Sequence, residues 1–198
     1  MTSLFVIVLV LFVLSYFNFS KKKKELEVNA EKYRRIQQID SALAQLDPRY
    51  FAYDPMNKRH KLQVDVNFKS NSANIDDLTE VAKKDLVSAG NALYIQMEEL
   101  TTENKDVNYL LVVEGNTQRS LYEGKWNYIS HPNIGYEFSY KRALALIDYW
   151  KNNGVDFRKF SNCELMIAGS GYFGKSRESD EIRNRRFTIQ ITPKISTD

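Results

Sequence analysis

The uncharged stretch Leu4–Phe19, LFVIVLVLFVLSYFNF, followed at once by Lys21–Lys24, constrains this chain more than any other feature. As a helix rising about 1.5 Å per residue it spans roughly 24 Å, a little short of a hydrocarbon core about 30 Å thick. Ser3, Ser20 and snorkelling lysine side chains can make up the difference. Residues 1–20 are therefore expected to form a transmembrane helix. A removed signal peptide is the rival reading, but it calls for a basic start and small residues at a cleavage site, and neither MTS nor SYFNFSKKKK supplies them. No cysteine follows the run to accept a lipid. The positive-inside bias of the lysines, taken alone, places the rest of the chain in the cytoplasm.

At 198 residues the chain has room for one domain and an appendage, since domains usually run about 100–150 residues. Its 28 basic and 25 acidic residues nearly balance, and four of the basic ones lie in the lysine run, so no basic face for nucleic acid is expected. After the lysines, Leu26, Ala30, Tyr33, Ile36, Ile39, Leu43 and Leu46 recur every three or four residues and trace one face of a helix. Residues 21–46 are read as a basic and helical stalk, either pairing two chains into a homodimer or packing on its own domain. Asp47-Pro48 ends it, because proline restricts its predecessor and donates no helical hydrogen bond. A folded domain is expected over 47–198.

Within that domain, Tyr50–Tyr53 and Lys61–Phe68 flank the turn-like Asp54-Pro55-Met56-Asn57, which predicts a hairpin, and Leu62, Val64, Val66 and Phe68 alternate onto one face. Ser72–Asp77 offers caps for a helix over about 77–101, with Leu78, Val81, Leu86, Ala89, Leu93 and Met97 among its buried positions. Tyr109–Val113 is a short strand, and an irregular stretch containing Trp126, His131 and Pro132 runs on to Asn133. Tyr136–Asn152 reads as a second helix closed by Asn153-Gly154, Cys163–Ala168 as a strand, and Arg186–Pro193 as a last strand. The expected class is α+β, a β-α-β-α-β-β sandwich with two helices on one mixed sheet.

Five segments carry a family resemblance: VNFKSNSANI (Val66–Ile75), LLVVEGNTQ (Leu110–Gln118), GYEFSYKRALALIDYWKNNGV (Gly135–Val155), IAGSGYFG (Ile167–Gly174) and NRRFTIQI (Asn184–Ile191). In order and spacing they resemble the landmarks of OmpA-like domains, the module shared by OmpA and MotB C-terminal regions that grips peptidoglycan. The resemblance implies a site for the diaminopimelate-type stem peptide, in which a turn aspartate meets the ligand's ammonium and a helix arginine forks its carboxylate. Matched residue by residue, the ligand-binding set is Thr117, Gln118, Arg142, Asn184 and Arg185, with one residue of Asn184–Arg186 near the ligand and the others structural or exposed. Three positions depart from the pattern: Gln118 replaces the aspartate, Asn116 the histidine and Gly135 the helix-start asparagine. Weakened wall binding, rescue by a nearby acid such as Glu114 or Glu123, and recruitment to another ligand all follow from those departures.

No enzyme, cofactor or metal is expected. His60 and His131 are the only histidines, no acid or cysteine cluster stands at ligand spacing, and His60 is read as a strand-edge residue and His131 as a solvated loop residue. The lone Cys163 is read as a small buried residue. GSGYFG (Gly169–Gly174) matches a dinucleotide fingerprint by letter, but no long helix can follow before the last strand, so it is a turn. Three functions remain. The first is a wall tether in the bacterial inner membrane with a periplasmic domain on peptidoglycan. The second is a stator B-subunit-like component of an ion-driven motor or Zorya-type defence complex, with a membrane partner subunit. The third is a protein-interaction domain on the cytoplasmic side. Stator B subunits resemble one another in a membrane aspartate, and Leu4–Phe19 holds no acid.

Overall fold

The computed structural model describes residues 2–69 and 71–195, which fall into two compact units divided after Ser41. The first unit is helical: α1 (Thr2–Leu43) passes through the lysines without a break. It is long and apolar enough to cross a membrane, and every side chain from Phe5 to Phe19 is uncovered by protein. A row of bare valine, leucine and phenylalanine calls for an apolar surrounding other than this chain, as a membrane anchor or a signal sequence would have.

In the second unit, α1 ends at Leu43 and the chain enters a five-stranded mixed sheet. The strands are β1 (Phe51–Asp54), β2 (Arg59–Leu62), β3 (Val107–Asn116), β6 (Cys163–Gly171) and β7 (Phe187–Ile195), in the order β1-β2-β7-β3-β6. Only β3 and β6 run parallel; the other neighbours are antiparallel. A separate small hairpin, β4 (Leu121–Tyr122) and β5 (Lys125–Trp126), leads to a single helical turn, α3 (Asn127–Ser130). The long helices are α2 (Glu80–Glu103) and α4 (Pro132–Asn152), the latter forming the crossover from β3 to β6. This is an α+β fold, a mixed sheet carrying two long helices.

The alternation in β3 makes one face of the sheet the core: Val107, Tyr109, Leu111 and Val113 are at most 1% exposed, while the residues between them are half-buried or exposed. Leu86, Ala89, Leu93 and Met97 of α2 and Ala143, Leu146, Ile147 and Trp150 of α4 fill that core. Trp150 joins the two helices. Its indole N–H donates to the Leu86 carbonyl at 2.7 Å, and its ring lies where only Gly90 leaves room, since a Cβ there would come within 2.6 Å of the indole nitrogen.

Several expectations are corrected in detail. Val64, Val66 and Phe68 are buried as the alternation required, yet the strand stops at Leu62. Beyond Leu62 the register runs past Phe187, the first residue of β7, so that strand offers no partner and the segment continues extended without a ladder on that side. The second helix starts at Glu80, capped by the Thr79 hydroxyl accepting from the Ala82 N–H, and Val81 is 69% exposed rather than buried. The stretch expected to be irregular holds β4, β5 and α3, and α4 begins at Pro132, where a missing N–H costs nothing. Cys163 is half-buried.

His60 is not at a strand edge. It lies on β2, between β1 and β7, is 3% exposed, and its ring lies 4.9 Å from that of Tyr53, tilted by 38°. Burial holds its imidazole below the ordinary value, with the backbone of Leu43 and Ile189 offsetting part of the shift. The unfolded chain therefore binds a proton, at a pKa near 6.5, that the folded chain resists. Stability is expected to fall as pH drops below about 6.5, by at most about 1.4 kcal/mol per pH unit from this one group. Chemical denaturation at pH 7 and pH 5 checks it: His60→Phe should reduce the difference between the two, and an unchanged difference contradicts the assignment.

Candidate functional site

Two glycines let α4 settle onto the ends of the parallel strands. A Cβ on Gly115 would overlap the carbonyl oxygen of Ser139, and one on Gly169 would come within 2.5 Å of the Tyr140 nitrogen. Between them Ser139, fully buried, donates its hydroxyl to the Tyr136 carbonyl and accepts from the Gly171 N–H, both at 2.9 Å. The start of α4 is thus fixed against the point where β3 and β6 end.

The chain leaving β3 is tied down on the same side. Thr117 donates its N–H to the Gly171 carbonyl at 3.0 Å, and Arg177 donates to the Thr117 carbonyl at 2.9 Å. Arg119 donates its backbone N–H to Glu181 and its side chain to the Tyr172 carbonyl. Glu181 also pairs with Arg177 and accepts from Asn184, which holds its carboxyl below the ordinary range against the opposing effect of burial. These bonds stiffen a loop that would otherwise be mobile.

Over this floor lies a cavity of about 190 Å³. Thr117 and Gln118 line it from the β3 exit, Phe138 and Arg142 from α4, Phe68 and Lys69 from the extended segment, and Tyr172 and Arg185 from the chain around β6 and β7. Four of the five residues picked out by resemblance, Thr117, Gln118, Arg142 and Arg185, therefore border one space. Asn184 does not. It is 1% exposed and staples its own loop, accepting from the Glu178 N–H at 2.8 Å and donating to the Glu178 carbonyl at 2.9 Å. Arg186 is likewise structural, pairing with Glu178 and donating to the Ser176 carbonyl.

The charge in the cavity is one-sided. Arg142 donates Nε–H to the Ser72 carbonyl at 2.9 Å, and its guanidinium stacks 4.8 Å from the Phe68 ring centroid and 6.0 Å from that of Phe138. Burial, with the nearby Arg185 adding to it, brings the Arg142 pKa down to about 10. Arg185 donates to the Asn67 side-chain oxygen, and Lys69 is paired with Asp77 at 3.0 Å. Among the described residues no aspartate or glutamate lines the cavity. The two acids considered as substitutes are elsewhere: Glu114 is engaged by Arg59 and by the Thr188 hydroxyl, and Glu123 sits exposed in the β4–β5 turn. Two oxygens of lining residues, the Thr117 hydroxyl and the Gln118 amide oxygen, are buried without a partner. An unopposed guanidinium pair beside unsatisfied buried oxygens is arranged for an anion that also carries a hydrogen-bond donor.

The glycine at 135 has a spatial reason. A Cβ there would overlap the ring of Tyr172, which is 5% exposed and lines the cavity. Tyr172 thus takes the space of the side chain that Gly135 lacks. Gly135→Asn is expected to destabilise the fold by about 1–3 kcal/mol, because a buried ring must move. Gly135→Asn combined with Tyr172→Ala should recover part of that loss in a denaturant titration; a double variant no better than the single one contradicts the exchange. Sequence reasoning missed Phe68, Phe138 and Tyr172 as lining: Phe68 is 74 positions from the arginine stacked on it and leaves no local spacing to read, whereas Phe138, four residues before Arg142 on α4, did have one.

No protein-family model matches the chain, and no curated protein matches it. Solved structures do. The periplasmic domain of a MotB is similar at 16% identity with a TM-score of 0.42, over 69% of this chain and 63% of that one, so the chain spans less than two thirds of it. The periplasmic domain of Helicobacter pylori MotB is similar at 15% identity and a TM-score of 0.43, over 71% of this chain and 87% of that one. The OmpA-like domain of a Francisella tularensis protein is similar at 16% identity and a TM-score of 0.38, over 74% and 82%. The α+β unit of this chain is similar in fold to MotB periplasmic and OmpA-like domains.

Proposed function

We propose that this chain is a non-enzymatic, single-pass inner-membrane protein whose α+β domain lies in the periplasm and tethers the membrane to peptidoglycan. The observation that carries the reading is the cavity: Arg142, desolvated and without a carboxylate partner among the described residues, shares it with Arg185, Thr117 and Gln118. In the free protein that charge has a carbonyl and two aromatic faces but no carboxylate to neutralise it, and an anionic ligand would supply one. The stem-peptide carboxylate is the anion that the motif resemblance supplies. The stator-like alternative lacks its ion-carrying acid in Leu4–Phe19, and the cytoplasmic alternative rests on Lys21–Lys24.

Two experiments test the proposal. Full-length protein in detergent should co-sediment with purified sacculi, and soluble stem peptide should release it; protein that stays in the supernatant contradicts wall binding. A C-terminal alkaline phosphatase fusion should be active in cells. An inactive fusion with normal expression favours the cytoplasmic alternative.

A further inference from the structure

Resting on the wall-peptide reading of the cavity, we infer that it selects a carboxylate whose neighbouring amine is acylated, as in a cross-linked diamino acid, over one whose amine is free. A free amine is an ammonium at neutral pH, and in this cavity it meets Arg142 and Arg185 with no carboxylate among the described lining residues to offset them. Like charges brought together in a partly desolvated space repel more strongly than in water.

The buried oxygens point the same way. Thr117 is 6% exposed, and its Oγ1 lies without a partner, as does Gln118 Oε1. The Thr117 hydroxyl can accept or donate, but the Gln118 oxygen is satisfied only by a donor, and a neutral amide N–H donates without bringing a charge. An aspartate at position 118 would answer an ammonium; a glutamine answers an amide. A carboxylate on the arginine fork with an amide N–H on Gln118 and Thr117 uses both halves of the site, whereas an ammonium uses one and opposes the other.

The two forms of the ligand can be compared directly. Isothermal titration of the 198-residue chain in detergent would use diaminopimelate, both of whose carboxylates lie beside an ammonium, and N,N′-diacetyl diaminopimelate, in which neither does. The diacetyl form is expected to bind about tenfold tighter or more. Gln118→Asp should reverse the order, which a mere hydrophobic gain from the acetyl groups would not. Equal or tighter binding of the free diamino acid to the natural chain overturns the inference, as does failure of the diacetyl form to bind. Acetyl-L-alanyl-L-alanine, a protein-like carboxylate and amide, should bind more weakly than the diacetyl form; equal affinity overturns the assignment to the wall. If sacculi still retain the protein through Arg142 while the order of the probes is wrong, only this inference fails. If sacculi are not retained at all, the wall reading fails with it.

Discussion

Gly115→Val is expected to destabilise the domain by about 3 kcal/mol or more, because the added side chain falls on backbone that cannot rotate away. The Cβ of any residue there would overlap the Ser139 carbonyl oxygen, and α4 has little freedom to lift. The Ser139 hydroxyl is bonded to Gly171, Gly169 meets the backbone at Tyr140, and Trp150 at the far end of α4 is fully buried against α2. For a unit of this size the melting temperature should fall by about 6–12 °C. The same lift carries Phe138 and Arg142 away from the cavity, so ligand binding should weaken even where the variant remains folded. Calorimetry shows the first effect and sacculus retention the second. A variant that melts like the natural chain would mean that α4 is not seated as described.

Arg142→Ala is expected to reduce sacculus binding about 100-fold or more while leaving the fold almost unaffected. Truncating one partner of a desolvated, hydrogen-bonded charge pair typically costs about 3–5 kcal/mol of binding, which is over two powers of ten. In the unliganded protein the same side chain has only the Ser72 carbonyl and two aromatic faces to lose, and its removal relieves a desolvated charge. Its loss should therefore cost no more than about 1 kcal/mol of stability. The contrast is the informative part. A residue kept for packing would show the opposite balance, with a large fall in stability and little change in binding.

Much of this arrangement was legible before the coordinates, and the reasons differ by element. Periodicity located α2, α4, β3, β6 and β7, because each has one face in the core and the spacing of apolar residues records which one. It misread 63–68, since alternate burial requires only an extended backbone, whereas a strand also requires a neighbour with free hydrogen bonds. Val81 falls on the exposed side because it stands five residues before Leu86, about 140° around the helix from the row that Ala82, Leu86, Ala89 and Leu93 bury. The small hairpin β4–β5 had a signal that went unread: Glu123-Gly124, both with positive φ, between Leu121-Tyr122 and Lys125-Trp126.

In the cavity, the ordered motifs pointed to Thr117, Gln118, Arg142 and Arg185, which come from segments far apart in the chain. The same motifs also pointed to Asn184, whose surroundings make it a loop staple. The exchange between Gly135 and Tyr172 was invisible to the sequence, because it relates two residues only by the space they share. Gln118 was legible as a missing charge. What the structure adds is that neither Glu114 nor Glu123 restores that charge, which leaves the cavity basic.

The most direct test of the account is a titration of isotopically labelled protein in detergent with soluble stem peptide, followed by NMR of the arginine Nε–H and backbone amide signals. The account predicts saturable shifts at Arg142 and Arg185 Nε–H and at the Thr117 and Gln118 amides, with Glu164 and Met166 on the far face of the sheet unmoved. Shifts confined to other regions, or none at concentrations that release the protein from sacculi, would contradict it.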